Sequence, residues 1–371
     1  MRFDTAQDSR MDLIFNSLQP FFTFANPMEA CTFDPPLMKK VKGTNKGLPG
    51  HGLRVASFFT GAGGLDLGFH DAGFDVVLAN EVERTFCCTL RDNVGTRVSD
   101  NIKIVCDDIR NLDESDIPPE IDFVIGGPPC QTFSASGRRA GGAAGRLDAR
   151  GTLFEAYCRL LKRIKPVGFL FENVRGILGT NRGKDWQDIV STFGKLGYRL
   201  SYRVLDACDY GIPQHRERLI LVGHRLETDF LFPEPSNGPD SPSGLAHVPP
   251  REAFEGIIET EDLKTLKLDS GKYAHLLPLV PPGGNYLFFT ERRGYRKPIF
   301  AYRSRFSDFL YKANPEYPIK TLIASPGKYT GPFHWDNRCF SIAEYKHCRV
   351  FQTTMRFAAV EAISFARSAI R

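Results

Sequence analysis

A chain of 371 residues can bury one large core and a smaller one, and its 42% apolar and 25% charged residues are the proportions of an ordinary globular protein. With 48 basic against 43 acidic side chains the net charge is +5, which permits a polyanionic partner without demanding one. The nine cysteines form no C-x-x-C pair and follow no secretory leader, and no apolar run reaches membrane-spanning length, so a disulfide frame, a paired-cysteine zinc site and a transmembrane protein are excluded and a cytosolic protein is expected.

Residues 1–50 mix Pro, Lys, Gly and aromatics without a period and are expected to lie outside the fold, with Met11 and Met28 as alternative starts. The pattern predicts a first strand over Leu53–Phe59, running into the glycine-rich Thr60-Gly61-Ala62-Gly63-Gly64-Leu65 that opens a helix. The next strand, Asp75–Asn80, ends in Glu81, about twenty residues beyond the glycines, a spacing that suits a carboxylate accepting hydrogen bonds from ribose hydroxyls. A third strand, Ile102–Val105, ends at Asp107-Asp108-Ile109. Glycines, Glu81 and Asp108 at three neighbouring strand ends describe a nucleoside pocket.

A fourth strand, Ile121–Ile125, leads into residues 126–134, Gly-Gly-Pro-Pro-Cys-Gln-Thr-Phe-Ser. Two glycines and two prolines can neither continue a strand nor enter a helix, so the chain turns and presents Cys130 where open α/β sheets bind their ligands, making it a nucleophile candidate. Residues 136–146 are glycine-rich and carry Arg138, Arg139 and Arg146, as suits either a solvated loop or one that closes over a polyanion. A helix over Thr152–Ile164 precedes a strand over Gly168–Phe171 that delivers Glu172-Asn173-Val174; a helix over Trp186–Leu196 and a strand over Tyr198–Leu205 follow. Arg216 and Arg218 alternate ahead of the strand Leu219–Gly223 and are expected on one face, turned to phosphate or carbonyl oxygens. From 225 to 318 prolines, glycines and serines replace the α/β alternation, which predicts a separate small domain, and Arg292–Arg305 interleaves basic with aromatic residues as nucleic-acid surfaces do.

Phe59–Gly64, Asn80-Glu81, Asp108-Ile109, Gly127–Gln131 with Ser134, Glu172–Val174 and Gln214–Arg218 stand in the order and spacing of the DNA cytosine-5 methyltransferases. The chain resembles that family, in its bacterial restriction-modification form, over residues 53–223. A weaker likeness resumes at Pro318–Leu322, Asn337-Arg338 and Ile342-Ala343-Glu344 to Gln352. The resemblance implies an α/β fold, an S-adenosylmethionine-dependent methyltransferase (Rossmann-like) doubly wound sheet with a smaller target-recognition domain. Its parts would be an N-terminal extension (1–50), a catalytic domain (51–224), the target-recognition domain (225–318) and a return segment (319–371).

The resemblance also implies the chemistry. Cys130 adds to C6 of a flipped-out cytosine so that C5 can accept a methyl group, Glu172 hydrogen-bonds the ring at N3 and the exocyclic amine, and Arg216 and Arg218 complete the catalytic set. Phe59, Thr60, Gly61, Gly63, Gly64, Leu65, Glu81, Val82, Asp108, Ile109 and Pro128 are expected to hold S-adenosylmethionine, and Gln131, Ser134, Asn173 and Val174 the substrate, with no metal. The partners implied are double-stranded DNA and a restriction endonuclease acting on the same site, for a monomer located at the nucleoid.

Two alternatives stay open. The family's closing Gly-Asn-Ser/Ala-Val-Pro signature is not found after Gln352, where residues 353–371 read as an amphipathic helix; a truncation or frame change near 353 is expected, and a weakly active or inactive DNA-binding remnant would follow from it. An RNA cytosine-5 methyltransferase would use the same nucleophile and acid, although the long segment 225–318 favours DNA. A zinc nucleobase deaminase would need a second cysteine where Phe133 stands and is excluded.

Overall fold

The computed structural model describes residues 52–129, 151–227, 229–257, 262–268, 270–303, 307–323 and 327–348. The expected extension, the arginine-bearing loop after Cys130 and the terminal helix lie outside the described residues. In chain order the first part forms β1 (Arg54–Phe58), α1 (Gly64–Asp71), β2 (Asp75–Asn80), α2 (Arg84–Arg91), β3 (Lys103–Val105), β4 (Phe123–Gly126), α3 (Gly151–Ile164), β5 (Gly168–Val174), α4 (Lys184–Lys195), β6 (Arg199–Asp206) and β7 (Glu217–His224).

The seven strands form one sheet in the order β3-β2-β1-β4-β5-β7-β6. β1 pairs in parallel with β2 and with β4, β2 with β3, and β4 with β5, whereas β7 runs antiparallel to β5. This is the expected doubly wound α/β sheet, its strand order reversing between β1 and β4. At such a reversal the connections leave on opposite faces and open a crevice at the carboxyl ends of the strands.

Strand residues are apolar toward both faces because both faces are covered. Ala56, Phe58, Val124, Phe169 and Phe171 pack with Tyr157 and Leu161 of α3 and with Ile189 and Phe193 of α4. Their alternates Val55, Phe123 and Ile125 pack on the other side, together with Leu65 and Phe69 of α1.

The chain divides into two compact units. The first runs to Val204 and resumes over Arg218–Glu234; the second takes Leu205–Glu217 and resumes at Pro235. Among its described residues the second unit holds isolated bridges, short 3-10 turns, α5 (Pro250–Ala253) and α6 (Ile342–His347). Its core is built largely from large side chains, Leu276, Leu277, Tyr286, Phe289, Leu310 and Phe333 among them. No described helix is long and apolar enough to cross a membrane.

Candidate active site

At the carboxyl end of β1 the backbone leaves the sheet through three left-handed residues, Phe59 (φ 55°), Gly61 (φ 57°) and Gly63 (φ 86°). Only glycine fits the last of these, since a Cβ there would lie 2.8 Å from Leu90 Cδ2. Phe59, which does have a side chain, holds a conformation that costs about 1 kcal/mol, the kind of local strain that collects at functional sites. Below the loop, Ser57 Oγ donates to Thr60 Oγ1 (3.1 Å), which donates to Asp66 Oδ2 (2.6 Å) in the first turn of α1. Burial pushes the Asp66 carboxyl up to about 6, against those two hydroxyl hydrogen bonds.

Glu81, just past β2, ties this loop to its neighbour strand. Its Oε2 accepts from Gly61 N (2.8 Å), and its Oε1 from the N–H groups of Val82 and Glu83 (2.9 Å each). A carboxylate offers about four lone-pair sites, so acceptor capacity remains for a ligand hydroxyl. Past β3, Asp108 caps the following 3-10 turn and is gripped by Arg110 through Nε on Oδ1 (2.9 Å) and Nη2 on Oδ2 (2.5 Å). The Arg110 guanidinium holds the Asp108 carboxyl below the usual carboxylate range, against a smaller effect of burial.

These strand ends enclose a cavity of about 310 Å³ lined by Phe59, Asn80, Glu81, Val82, Asp107, Asp108, Ile109, Gly127, Pro129 and Leu153. Five of the residues expected to bind cofactor, Phe59, Glu81, Val82, Asp108 and Ile109, therefore share one wall system. Thr60, Gly61, Gly63, Gly64 and Leu65 form the adjoining loop and the start of α1. Asn80, Asp107 and Leu153 were not singled out as site residues. Asn80 is buried and donates to Val105 O (3.2 Å) and Asp107 O (2.8 Å), so it fixes the edge of β3 against β2; its place as the last residue of a strand was the available signal.

The β4 exit forms the far side. Asn173 is buried and its Nδ2 donates to Pro128 O (2.9 Å), so it holds the Pro-Pro turn in place. A Cβ on Gly127 would lie 2.8 Å from Glu172 Oε2, so glycine is what allows the acid to stand beside this turn. Arg218 Nε donates to Glu172 Oε1 at 2.8 Å across the antiparallel β5–β7 pair, in which Val174 is the partner of Arg218. Val174 is exposed at the strand end. Arg216 precedes β7, and its backbone N–H donates to Asp206 Oδ1 (2.6 Å). Cys130, Gln131 and Ser134 lie outside the described residues; Cys130 follows directly on Pro129.

A family model described as C-5 cytosine-specific DNA methylase matches residues 53–273. The chain is 33% identical over 347 residues to the Type II methyltransferase M.SacI of Streptomyces achromogenes, spanning 84% of this chain and 87% of that one. It is also 33% identical over 310 residues to the Type II methyltransferase M.NgoFVII of Neisseria gonorrhoeae, spanning 82% and 79%. A solved E. coli structure described as a DNA modification methyltransferase encoded within a prophage shares the fold, with a TM-score of 0.54 and 23% identity across 86% of this chain and 94% of that one. Since the family match covers the whole sheet and the relatives align over most of either chain, this protein belongs to the C-5 cytosine-specific DNA methylases, in company with Type II methyltransferases.

Proposed function

We propose that this chain transfers a methyl group from S-adenosylmethionine to C5 of a cytosine flipped out of a specific duplex DNA sequence, through a covalent bond from Cys130 to C6, as the modification half of a restriction-modification pair. The observation that carries the reading is the cavity at the reversal of strand order. Its apolar walls (Phe59, Val82, Ile109, Leu153) suit an adenine plane, and Glu81 and Asp108 at its edge suit ribose hydroxyls and an exocyclic amine. The residues present thus fit S-adenosylmethionine, which supplies a methyl group on a positively charged sulfur when bound.

The chain's own residues do the rest. The Cys130 thiolate adds to C6 and shifts electron density to C5, which takes the methyl group; loss of the C5 proton and of the Cys130 sulfur then restores the ring. Glu172 hydrogen-bonds the cytosine edge at N3 and the exocyclic amine, and Arg218 orients it. Arg216 contacts the backbone or the closing loop. Gln131, Ser134 and Val174 border the extruded base, while Asn173 steadies the turn before Cys130. Residues 51–224 are the catalytic domain in this reading, 225–318 read the base sequence, and 319–371 return to the catalytic domain.

Bisulfite sequencing of host DNA after expression of the full chain, beside Cys130→Ala, tests this. Protected cytosines in one short context, lost in the variant while DNA binding survives, are expected. Methylation persisting in Cys130→Ala sinks the covalent mechanism, and a soluble wild-type chain that protects nothing sinks the activity.

A further inference from the structure

We infer that the second unit carries a transition-metal site of the zinc class, with Cys208 Sγ, His215 Nδ1, His247 Nε2 and a carboxylate oxygen of Asp206 or Asp209 as its ligands. The roles proposed above use none of Cys208, His215 and His247. Asp206, Cys208 and His215 place their ligand atoms within 4.8 Å of one another, as do Cys208, Asp209 and His247, so the buried Cys208 is shared by two triads. The donors come from three separate stretches of chain, at 206–209, at 215 and at 247, which a random scatter of side chains would not bring together.

The donor set has chemical character. One thiol with two imidazoles is soft enough to prefer zinc, cobalt or copper over magnesium or calcium, and a carboxylate completes four-coordination. Within each triad the donor atoms already stand close together. Cys208 Sγ to His215 Nδ1 is 3.1 Å, His215 Nδ1 to Asp206 Oδ2 is 2.9 Å, Cys208 Sγ to Asp209 Oδ1 is 3.8 Å and His247 Nε2 to Asp209 Oδ1 is 2.9 Å. Bond lengths of about 2.0–2.3 Å around a tetrahedral zinc put neighbouring ligand atoms roughly 3.3–3.6 Å apart. The contacts within each triad would therefore open by about half an ångström, while His215 and His247, which stand in separate triads, would turn in about Cys208 to share one ion.

The two imidazole rings stand 5.9 Å apart, edge to face at 88°. His215 is half exposed, which gives an ion a route in. Without metal the same atoms form two Asp–His pairs bridged by a thiol. With metal, the stretch that carries Gln214 and Arg216 is clamped to the stretch at 236–247, which already rests on Asp209 O through the N–H groups of Ser236 and Asn237.

Cobalt(II) titration of the metal-stripped full chain tests this, since tetrahedral cobalt bound to a thiolate absorbs strongly in the visible and shows sulfur-to-metal charge transfer. One equivalent should bring up both bands, and Cys208→Ser and His247→Gln should each abolish them. Zinc should raise the unfolding midpoint of the wild type by several degrees and leave that of His247→Gln unchanged, with both proteins alike in the absence of metal. His247→Gln decides the matter if Cys208→Ser does not fold. A titration without a one-to-one complex, or bands equally strong in His247→Gln, overturns the site and leaves a hydrogen-bonded cluster.

Discussion

At Gly127 the turn before Cys130 meets the acid on β5, and the missing side chain is what makes room for Glu172 Oε2. Gly127→Ala should push the carboxylate aside by about an ångström and cost on the order of a hundredfold in kcat/KM, with circular dichroism unchanged. Wild-type kinetics in that variant would show that Glu172 needs no such placement. Asp66 gives a second test. Its carboxyl, ordinarily near 3.8, is pushed up to about 6, chiefly by burial. The folded chain therefore holds this proton more tightly than the unfolded one. The resulting stability is fully present below about pH 3.8 and is lost as pH rises through about 6, a swing of roughly 3 kcal/mol. Asp66→Asn still offers Thr60 an acceptor but cannot ionise, so at pH 8 it should be the more stable protein by up to roughly that amount, as urea midpoints at pH 4, 6 and 8 will show. Equal slopes in the two proteins would place the titration elsewhere. Glu81 was readable in the sequence because an acid just past a strand follows from the β pattern alone, whereas Glu172, expected just past a strand ending at Phe171, stands inside β5, which runs on to Val174. That Gly127 faces Glu172, and that Arg218 pairs with it, depends on β5 lying between β4 and β7, which no local pattern reveals.

At the scale of elements, the sheet strands were legible because buried parallel strands are short, apolar and bounded by glycine or acid, and β2 runs over the very residues the pattern marks. α2 was not foreseen. Its sequence, Arg-Thr-Phe-Cys-Cys-Thr-Leu-Arg, is poor in strong helix formers, and packing holds it through the buried Cys87 and Leu90. α6 shows the opposite case. Ser341 and Glu344 form a capping box whose Ser-x-x-Glu spacing is visible in the sequence, but the use of Glu344 is tertiary: Arg338 grips both of its oxygens at 2.7 and 2.6 Å. Burial would raise the Glu344 carboxyl, yet the hydrogen bonds from Arg338 and His334 outweigh it and hold it at about 2. Stability from this group is therefore present above about pH 4.5 and lost as pH falls through about 2. Glu344→Gln should destabilise the chain by roughly 3–5 kcal/mol at pH 7, because it leaves the buried Arg338 charge without its counter-ion. A loss below about 1 kcal/mol in denaturant titration would mean that water reaches Arg338.

Over the whole molecule the chain passes from the first unit to the second and back within 205–217 and leaves the first again after Glu234, so no single cut separates them. Gln214 shows what that routing means. It is fully buried, its Nε2 donates to Cys348 O (2.7 Å), and its Oε1 accepts from Leu322 N (3.1 Å), partners more than a hundred residues away that sequence spacing does not reveal. His215 N donates to Ile319 O (2.8 Å), and Ile319 N donates to Pro213 O (2.9 Å). A fragment ending at 234 keeps every strand of the sheet but strips these groups of their partners, and each buried polar group left unsatisfied costs about 1–3 kcal/mol. The fragment should therefore unfold at lower denaturant than the full chain, and hydrogen exchange should find the amide of His215 unprotected. Residues 52–129 should keep their native protection, since among the described residues the core clusters of β1 to β4 and their helices hold none beyond Glu234. If His215 stays protected in the fragment, the stretch 205–217 is held by the first unit after all, and the return segment has some other task than pinning Gln214.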